Sequence, residues 1–472
     1  TGISEYNSGS NRSNFYSRGF MIDNYQIDGV PTLIDSQWNV GDTLSDTAVY
    51  DRIEVVRGAT GLMTGAGSPA ASINMIHKHA DSKEFQANVS ASYGSWDTQR
   101  YVGDISAPLT ESGNVRGRVV AGYQDGDSWL DHYHTRKKFL YGVVDADLSD
   151  NTTASLGYDY QETNISGATW GGLPTYYLDG SKTNYSRSTN LAPDWAYNNS
   201  DSKKVFANLK HTFDNGWLVN LSGSHTEATM DSKLLYIDGY FDKTTGIGIG
   251  PYAGYDLLGG TGYNSAKRKE DSLDAYASGP YELFGRQHEL MFGVTYLRQN
   301  DRYFSSSTSF TSADVGDFND WGNYPEPDWD DQSLAQDNTI HQKSAYLATR
   351  MSLADKLNLI LGARYTQYNA DTLTQNMEKN NVTPYAGLVY DINDNYSAYA
   401  SYTWIFKPQP YPNASGAYLS PVTGKSYETG IKGDWNNSRV TASFGGLRIE
   451  QDHLGATEYA LVPCSSDYAY YE

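Results

Sequence analysis

The sequence lacks several features that define common protein classes. Cys464 is its only cysteine in 472 residues, so an intrachain disulfide and a cage of thiolate metal ligands are both excluded. It contains no run of 18 apolar residues, the length that a membrane-spanning helix needs. Only 35 Lys and Arg stand against 56 Asp and Glu, giving a net charge of -21. Because phosphate binding needs positive charge, no nucleic acid partner is expected.

Glycine and aromatic residues are abundant instead, with 45 Gly, 40 Tyr and 10 Trp. This composition favours extended strands and turns. At 153–161 an apolar face formed by Ala154, Leu156, Tyr158 and Tyr160 alternates with a polar one. Such strands suit a membrane barrel, since only every second residue faces lipid.

The connections between the predicted strands fall into two length classes. We predict about fifteen strands between residues 84 and 451. Tight turns such as Asp150-Asn151 and Asn436-Asn437 alternate with long loops near 166–202, 230–270, 300–341 and 406–424. Short turns at one rim and long loops at the other are typical of outer-membrane barrels. The predicted fold is therefore an all-β, antiparallel transmembrane barrel over residues 84–472.

Residues 1–83 differ from the rest because they lack regular alternation and contain many glycines. A short strand at Ile53–Val56 is expected to be buried. The sequence predicts a compact α+β domain here, occupying the lumen of the barrel as a plug.

Short motifs in residues 14–76 resemble the plug of the TonB-dependent outer-membrane receptors. The matching residues are Arg18, Gly19, Phe20, Asp28, Gly29, Glu54, Arg57 and Gly58. The resemblance implies a 22-stranded family barrel, of which this chain is expected to hold an incomplete part. We expect truncation at both ends, with the segment that engages TonB missing, and a location in the outer membrane of a Gram-negative bacterium.

More narrowly, SRGFMIDNYQIDGVPT, the WGGLP stretch beginning at Trp170, and LILGARYT at 359–366 resemble the receptors for ferric coprogen and rhodotorulic acid. This resemblance implies uptake of ferric hydroxamate siderophores, driven by TonB and the proton-motive force. The expected partners are the siderophore, TonB, and outer-membrane lipid and lipopolysaccharide. No cofactor or protein metal ligand is expected, because hydroxamate oxygens already saturate the iron.

A ligand of this kind needs aromatic walls and a few polar groups. From the resemblance we expect ligand contacts from Gln37, Trp38, Trp170, Tyr263 and Asn264. The long loops add three further candidates, Tyr252, Tyr255 and Tyr324. In similar receptors a basic residue is common at the position of Gln37, so the exact siderophore stays open.

Charge gives a further expectation about selectivity. Residues 300–341 hold nine Asp and Glu against Arg302 alone, which predicts repulsion of a triply anionic catecholate complex. A loop that merely faces solvent is the alternative. Arg57 is expected to contact carboxylates of the barrel wall, and the pairs His77/His79 and His132/His134 are expected to be solvated.

Two other functions remain as alternatives. One is a receptor for another siderophore, haem or cobalamin; another is a passive porin or phage-receptor barrel, against which the plug argues. An enzyme is not expected, because no catalytic constellation is recognisable in the sequence.

Overall fold

The computed structural model describes residues 2–34, 40–41, 44–250, 259–311, 314, 317–318, 324–373, 376–413, 415–458 and 469–471. Within these ranges, no helix combines the length and the apolar character needed to cross a membrane.

The N-terminal part forms two small sheets. Strands β1 (Ile3–Asn7), β2 (Ser13–Ser17) and β3 (Phe20–Met21) form the first sheet. The second has the order β5-β4-β7-β6, from β4 (Asn24–Ile27), β5 (Val30–Thr32), β6 (Tyr50–Arg57) and β7 (Ala71–His77). A 3-10 helix at Thr47–Val49 and one helical turn, α1 (Gly61–Thr64), complete this domain. We call it the plug.

Two of the motifs are hairpin turns of the plug. Arg18-Gly19 joins β2 to β3 with φ of 54° and 87°, and Asp28-Gly29 joins β4 to β5 with φ of 53° and 82°. Two-residue hairpin turns with positive φ at both central residues match the twist of the flanking strands. Glycine occupies the second position because it adopts positive φ without strain.

Fifteen strands form one antiparallel sheet in which neighbours in sequence are neighbours in space. They are β8 (Gln86–Tyr93), β9 (Gln99–Pro108), β10 (Val115–Asp127), β11 (His134–Ser149), β12 (Thr152–Ser166), β13 (Tyr197–Thr212), β14 (Leu218–Ile237), β17 (Gly259–Leu283), β18 (Arg286–Phe310), β19 (Ser333–Ala354), β20 (Leu357–Asp371), β21 (Asn376–Asn393), β22 (Tyr396–Lys407), β23 (Val422–Trp435) and β24 (Val440–Asp452). Short hairpins lie outside the sheet: β15 (Tyr240–Phe241) with β16 (Gly248–Ile249), and β25 (Ala456–Glu458) with β26 (Ala469–Tyr471).

The two faces of the sheet differ as the alternation predicts. On β12, Leu156 and Tyr158 are 60% and 39% exposed on the outer face, while Asp159 and Gln161 are buried on the inner face. An apolar outer face against a polar inner one is the arrangement of a membrane barrel. The predicted barrel fold is confirmed.

The plug lies against the inner face. Leu33 of the plug donates its backbone N–H to Glu270 on β17, and Gly67 donates to the carbonyl of Phe406 on β22. On β20, Arg364 donates to the carbonyl of Met63 at 3.1 Å, holding α1. Contacts with widely separated strands place the plug within the curve of the sheet.

One expectation about the plug is wrong. The strand containing Ile53–Val56 is not buried: Ile53, Val55 and Val56 are 46%, 40% and 44% exposed. This strand, β6, is an edge strand of its sheet and pairs only with β7 among the described residues. Its apolar residues therefore lack a covering layer in the described part of the chain.

Candidate ligand-binding site

The tip of the plug is docked onto a long loop of the barrel. The turn between β1 and β2 closes through Ser8, whose N–H donates to the carbonyl of Arg12 at 2.8 Å. Gly9 in this turn has φ of 98°, and a Cβ placed there would lie 2.7 Å from the carbonyl oxygen of Thr169. The backbone N–H of Thr169 donates to Oγ of Ser10 at 2.9 Å. We call residues 6–12 the plug apex; it is held directly beside Trp170.

Above this contact is an open cleft of about 620 Å³, at the long-loop end of the sheet. Its lining comes from the plug apex and from loop residues of the barrel, including Trp129, Tyr133, Trp170, Arg187 and Asn190. A volume of this size is typical of ligand sites. The cleft therefore combines a floor made by the plug with walls made by the barrel.

The chemistry of the cleft is aromatic and cationic. Tyr6, Trp129 and Trp170 offer ring faces, and Arg12 and Arg187 offer guanidinium groups, while no carboxylate lines it among the described residues. Burial lowers the pKa of Arg12, although the nearby Tyr303 opposes this effect. Its Nε lacks a hydrogen-bond partner in the described part of the structure. Stacking on an extended π-system and pairing with an anionic oxygen are the interactions that such a cleft supplies.

Trp170 is fixed in the cleft by three contacts. Its backbone N–H donates to the carbonyl of Leu235 at 3.3 Å, and its ring meets the ring of Tyr236 edge-on with centroids 5.3 Å apart. A Cβ at Gly262 would lie 2.8 Å from the Trp170 ring and 2.9 Å from the amide of Asn264. Trp170 and Asn264, both predicted as contacts, are thus brought together on the inner side of the wall.

Tyr263 faces the other way. Inner positions of β17 such as Asn264 and Ala266 are buried, whereas Tyr263 meets Lys233 and Trp329, with Nζ of Lys233 5.1 Å from the Tyr263 ring centroid. Both neighbouring residues were predicted as ligand contacts, but successive side chains of a strand point to opposite faces of the sheet. The structure therefore separates Tyr263 from Asn264.

Tyr324 lies behind the cleft wall. Its carbonyl accepts a 3.1 Å hydrogen bond from Nε1 of Trp195, and its ring packs against the apolar cluster that contains Leu191 and Leu173. Leu173 and Leu191 also line the cleft, so Tyr324 supports the wall from outside. The remaining predicted contacts, Gln37, Trp38, Tyr252 and Tyr255, lie outside the described residues.

Sequence reasoning missed Arg12, Trp129 and Arg187. The available signal for Arg12 was its place in a Ser/Gly/Asn turn just before the first motif. Trp129 follows a strand in a short polar turn, so it was not counted with the long loops. What joins these residues is the contact between plug and barrel, which no local pattern encodes.

The acidic character expected for residues 300–341 is partly neutralised. Asp301 pairs with Arg268 at 2.6 Å, Asp337 with Arg302 at 3.3 Å, and Glu326 with Lys233 at 2.5 Å. These pairs weaken the argument that the segment repels anionic ligands, since three of its nine acidic residues already have a cationic partner.

Ion pairs fasten the plug to the wall below the cleft. Asp46 receives two hydrogen bonds from Arg100, at 2.6 and 2.8 Å. Burial works against ionisation of Asp46, but the bonds from Arg100 outweigh it and lower the pKa of the carboxyl.

The expectation for Arg57 is wrong: among the described residues it makes no ion pair, and Arg18 contacts Glu428 of β23 at 3.2 Å instead. Exposed Glu54 pairs with Arg52 at 2.8 Å.

His77 is a fully enclosed contact between plug and barrel, so the expectation that it is solvated is wrong. Its side chain is 0% exposed; Nδ1 lies 2.6 Å from Asp28 and Nε2 lies 3.6 Å from Asp159 on β12. Rings of Tyr141 and Phe206 stack on it at centroid distances of 5.3 and 4.8 Å. Burial opposes its charge, but the two carboxylates outweigh it and raise the pKa of His77. Asp28 satisfies Nδ1 by a hydrogen bond, whereas Nε2 has no hydrogen-bond partner among the described residues and is stabilised only by the charge of Asp159.

Comparisons with known proteins agree with this architecture. Residues 144–471 match the family described as TonB dependent receptor-like, beta-barrel, and residues 1–72 match the TonB-dependent receptor plug domain. The ferripyoverdine receptor of Pseudomonas aeruginosa is 38% identical over 455 residues, covering 94% of this chain and 54% of that protein. The ferric-pyoverdine 358 receptor of Pseudomonas putida is 38% identical over 483 residues, covering 98% of this chain and 57% of its own length.

A solved structure of the Pseudomonas aeruginosa ferripyoverdine receptor bound to ferripyoverdine superposes with a TM-score of 0.91 at 36% identity, covering all of this chain and 63% of that one. The chain thus spans about half the length of the curated relatives it matches. These relatives are named for pyoverdine, so the narrower resemblance to coprogen receptors is not supported by them. They are receptors, which confirms the expectation that the chain is not an enzyme. The chain belongs to the TonB-dependent receptors, β-barrels of the Gram-negative outer membrane.

Proposed function

We propose that the whole protein takes up a ferric siderophore through the outer membrane, with TonB and the proton-motive force supplying the energy. The observation that carries the proposal is the cleft whose floor is the plug apex. A ligand seated there touches barrel and plug together, so binding favours whichever plug position contacts it better. A porin needs no plug, and this disfavours the passive-barrel alternative.

The siderophore is proposed to bear hydroxamate groups and to be of pyoverdine type rather than coprogen. Two features support this choice: the names of the relatives, and the two guanidinium groups beside ring faces in the cleft. Arginine pairs with anionic oxygens around the iron, and tryptophan stacks on flat aromatic groups of a ligand. A neutral trihydroxamate complex uses the rings but gains less from Arg12 and Arg187.

Uptake of radioactive iron by cells expressing the full-length receptor tests the proposal. Ferric pyoverdine, ferric coprogen and ferric enterobactin are supplied separately, in strains with and without TonB. We expect TonB-dependent uptake with pyoverdine and weaker uptake with coprogen. Uptake that is unchanged without TonB contradicts active transport, and preferential uptake of enterobactin or coprogen contradicts the assigned ligand class.

A further inference from the structure

Two buried glycines of β17 lie where the aromatic wall of the cleft meets the sheet. Gly260 and Gly262 stand opposite Tyr236 and Leu234 of β14 in the register of the sheet. Because side chains alternate along a strand, positions 260 and 262 share the inner face with Asn264. The two glycines therefore leave a strip of bare backbone on the inner face, which we call the glycine strip.

The backbone conformation does not require glycine in this strip. Neither Gly260 nor Gly262 has a positive φ, the conformation that favours glycine, and both pair regularly with β14 and β18. Glycine in the interior of a strand weakens it relative to alanine, since more backbone freedom is lost on folding. It often marks a position where another group approaches the backbone closely. Space therefore explains the glycine strip.

The space is filled by the two rings of the wall. A Cβ at Gly262 would lie 2.8 Å from Cζ3 of Trp170, and a Cβ at Gly260 would lie 3.0 Å from Cε1 of Tyr236. Carbon atoms in van der Waals contact are about 3.5–4.0 Å apart. The ring of Trp170 therefore lies about 1 Å deeper in the wall than a side chain at position 262 allows.

The neighbours of Gly262 are held in place, so they cannot absorb an added methyl group. Asn264, whose amide would lie 2.9 Å from the Cβ, is 2% exposed and accepts a 2.8 Å hydrogen bond from Oγ of Ser305. Trp170 packs against a buried cluster that includes Ile165 and Leu234. Its open side is the cleft. A side chain at position 262 therefore pushes the Trp170 ring into the cleft.

We propose that Gly262 is a positioning residue for siderophore binding. The absence of its side chain sets the depth of Trp170, and thereby the width of the cleft and the bulk of the ferric complex that fits. Gly262 acts through Trp170 rather than by contact with the ligand. The inference rests on the proposed function, because it takes the siderophore to bind in the cleft against Trp170.

Fluorine NMR of the full-length receptor labelled with 5-fluorotryptophan tests the position of the ring without any ligand. The resonance of Trp170 is the one that disappears in Trp170→Phe. We expect Gly262→Ala to shift this resonance, and Gly103→Ala to leave it unchanged. Gly103 is the matched control, since it lies on wall strand β9 and has no atom within 4 Å of an added Cβ. An unchanged Trp170 resonance in Gly262→Ala overturns the inference.

Isothermal titration calorimetry with ferric pyoverdine measures the effect on binding. We expect Gly262→Ala to lower the affinity about tenfold, Gly262→Val to lower it further, and Gly103→Ala to leave it unchanged. The added Cβ meets Cζ3 and Cη2 of Trp170, atoms that Trp170→Phe removes. In a Trp170→Phe background, Gly262→Ala should therefore cause no further loss. Additive losses overturn the inference, because position 262 would then act independently of Trp170.

The two measurements separate this inference from the proposed function. A shifted Trp170 resonance in Gly262→Ala, with no binding of ferric pyoverdine to the wild type, overturns the ligand assignment and supports the positioning of the ring. Unchanged affinity in Gly262→Ala, with normal binding to the wild type, overturns the inference alone. If Gly262→Ala prevents barrel assembly, restored assembly on addition of Trp170→Phe supports the contact, and failed assembly of the double variant overturns it.

Discussion

Ser10 of the plug accepts a 2.9 Å hydrogen bond from the backbone N–H of Thr169, the residue before Trp170. This bond joins the floor of the cleft to its aromatic wall. We propose that a ligand which moves Trp170 pulls on the plug apex through this bond, so that the plug responds without direct contact with every part of the ligand.

Gly9→Val tests this junction. Gly9 has a φ of 98°, a backbone conformation that is strained for any residue with a side chain, and an added Cβ would lie 2.7 Å from the carbonyl oxygen of Thr169. The plug apex of the variant must therefore separate from the loop. We expect siderophore affinity to fall about tenfold, measured by tryptophan fluorescence titration of the full-length receptor. Gly19→Ala is the control, because Gly19 also has positive φ but has no atom within 4 Å of the added Cβ. Equal losses of affinity in both variants would show that backbone strain alone causes the effect.

Trp170→Ala removes the ring that forms the wall of the cleft. Because a central, well-packed aromatic contributes strongly to binding, we expect a loss of about 2 kcal/mol in siderophore binding, with the barrel still assembled. Tyr263→Ala is the matched control, since Tyr263 lies on the outer face of the same wall. Isothermal titration calorimetry measures both. Retained affinity in Trp170→Ala, or an equal loss in Tyr263→Ala, would remove Trp170 from the site.

Arg12→Gln separates the effect of charge from that of shape. The variant keeps a polar side chain but removes the cation whose Nε is unpartnered beside the cleft. We expect ferric pyoverdine to bind more weakly, by about 1–2 kcal/mol, and with less dependence on salt. Binding of neutral ferric coprogen should change little. A uniform loss for both ligands, at every salt concentration, would indicate a structural role for Arg12 in the plug apex.

Attachment of the plug should weaken as pH rises. The folded pKa of His77 is raised above its usual value, so its stabilising contribution is complete below about pH 6.5 and is lost as pH rises through the folded pKa. The pKa of Asp28, which is also a plug residue, is lowered: burial opposes ionisation, but the bonds with His77 outweigh it, so this pair inside the plug weakens in acid, below about pH 4. The plug, and through His77 its contact with Asp159 of the barrel, is therefore most stable between these two values.

We expect His77→Gln to remove this pH dependence and to lower the free energy of unfolding of the plug by about 2 kcal/mol at pH 6. The loss is smaller than for a fully buried ion pair because Asp28 is partly exposed. Urea unfolding of the plug, followed by hydrogen exchange, measures both effects. His134→Gln serves as the control, since His134 pairs with Asp127 on the barrel, away from the plug. A pH step that persists in His77→Gln would assign it to another group.

The barrel strands were predictable because lipid imposes a regular alternation, visible at Leu156 and Asp159. Their lengths were not. Strand β17 begins at Gly259, whereas the alternation predicts a start near 271, because above the membrane its outer positions turn from apolar to charged. Periodicity therefore marks only the part of each strand that crosses lipid.

The site was harder to predict than the fold. Trp170 and Asn264 were identified through resemblance and meet in space, while Arg12 was missed because its neighbours come from distant loops. His77 was assigned to solvent because local sequence does not reveal partners such as Asp159. Contacts between plug and wall join residues far apart in sequence, so they become visible only in three dimensions.

The position of the iron tests the proposed binding site most directly. Crystals of the full-length receptor with ferric pyoverdine give an anomalous scattering peak at the metal. We predict a single peak inside the cleft, between Arg12 and Trp170 and above the Ser10–Thr169 contact. A peak outside the barrel wall, beside Tyr263 and Trp329, would show that the cleft is not the binding site.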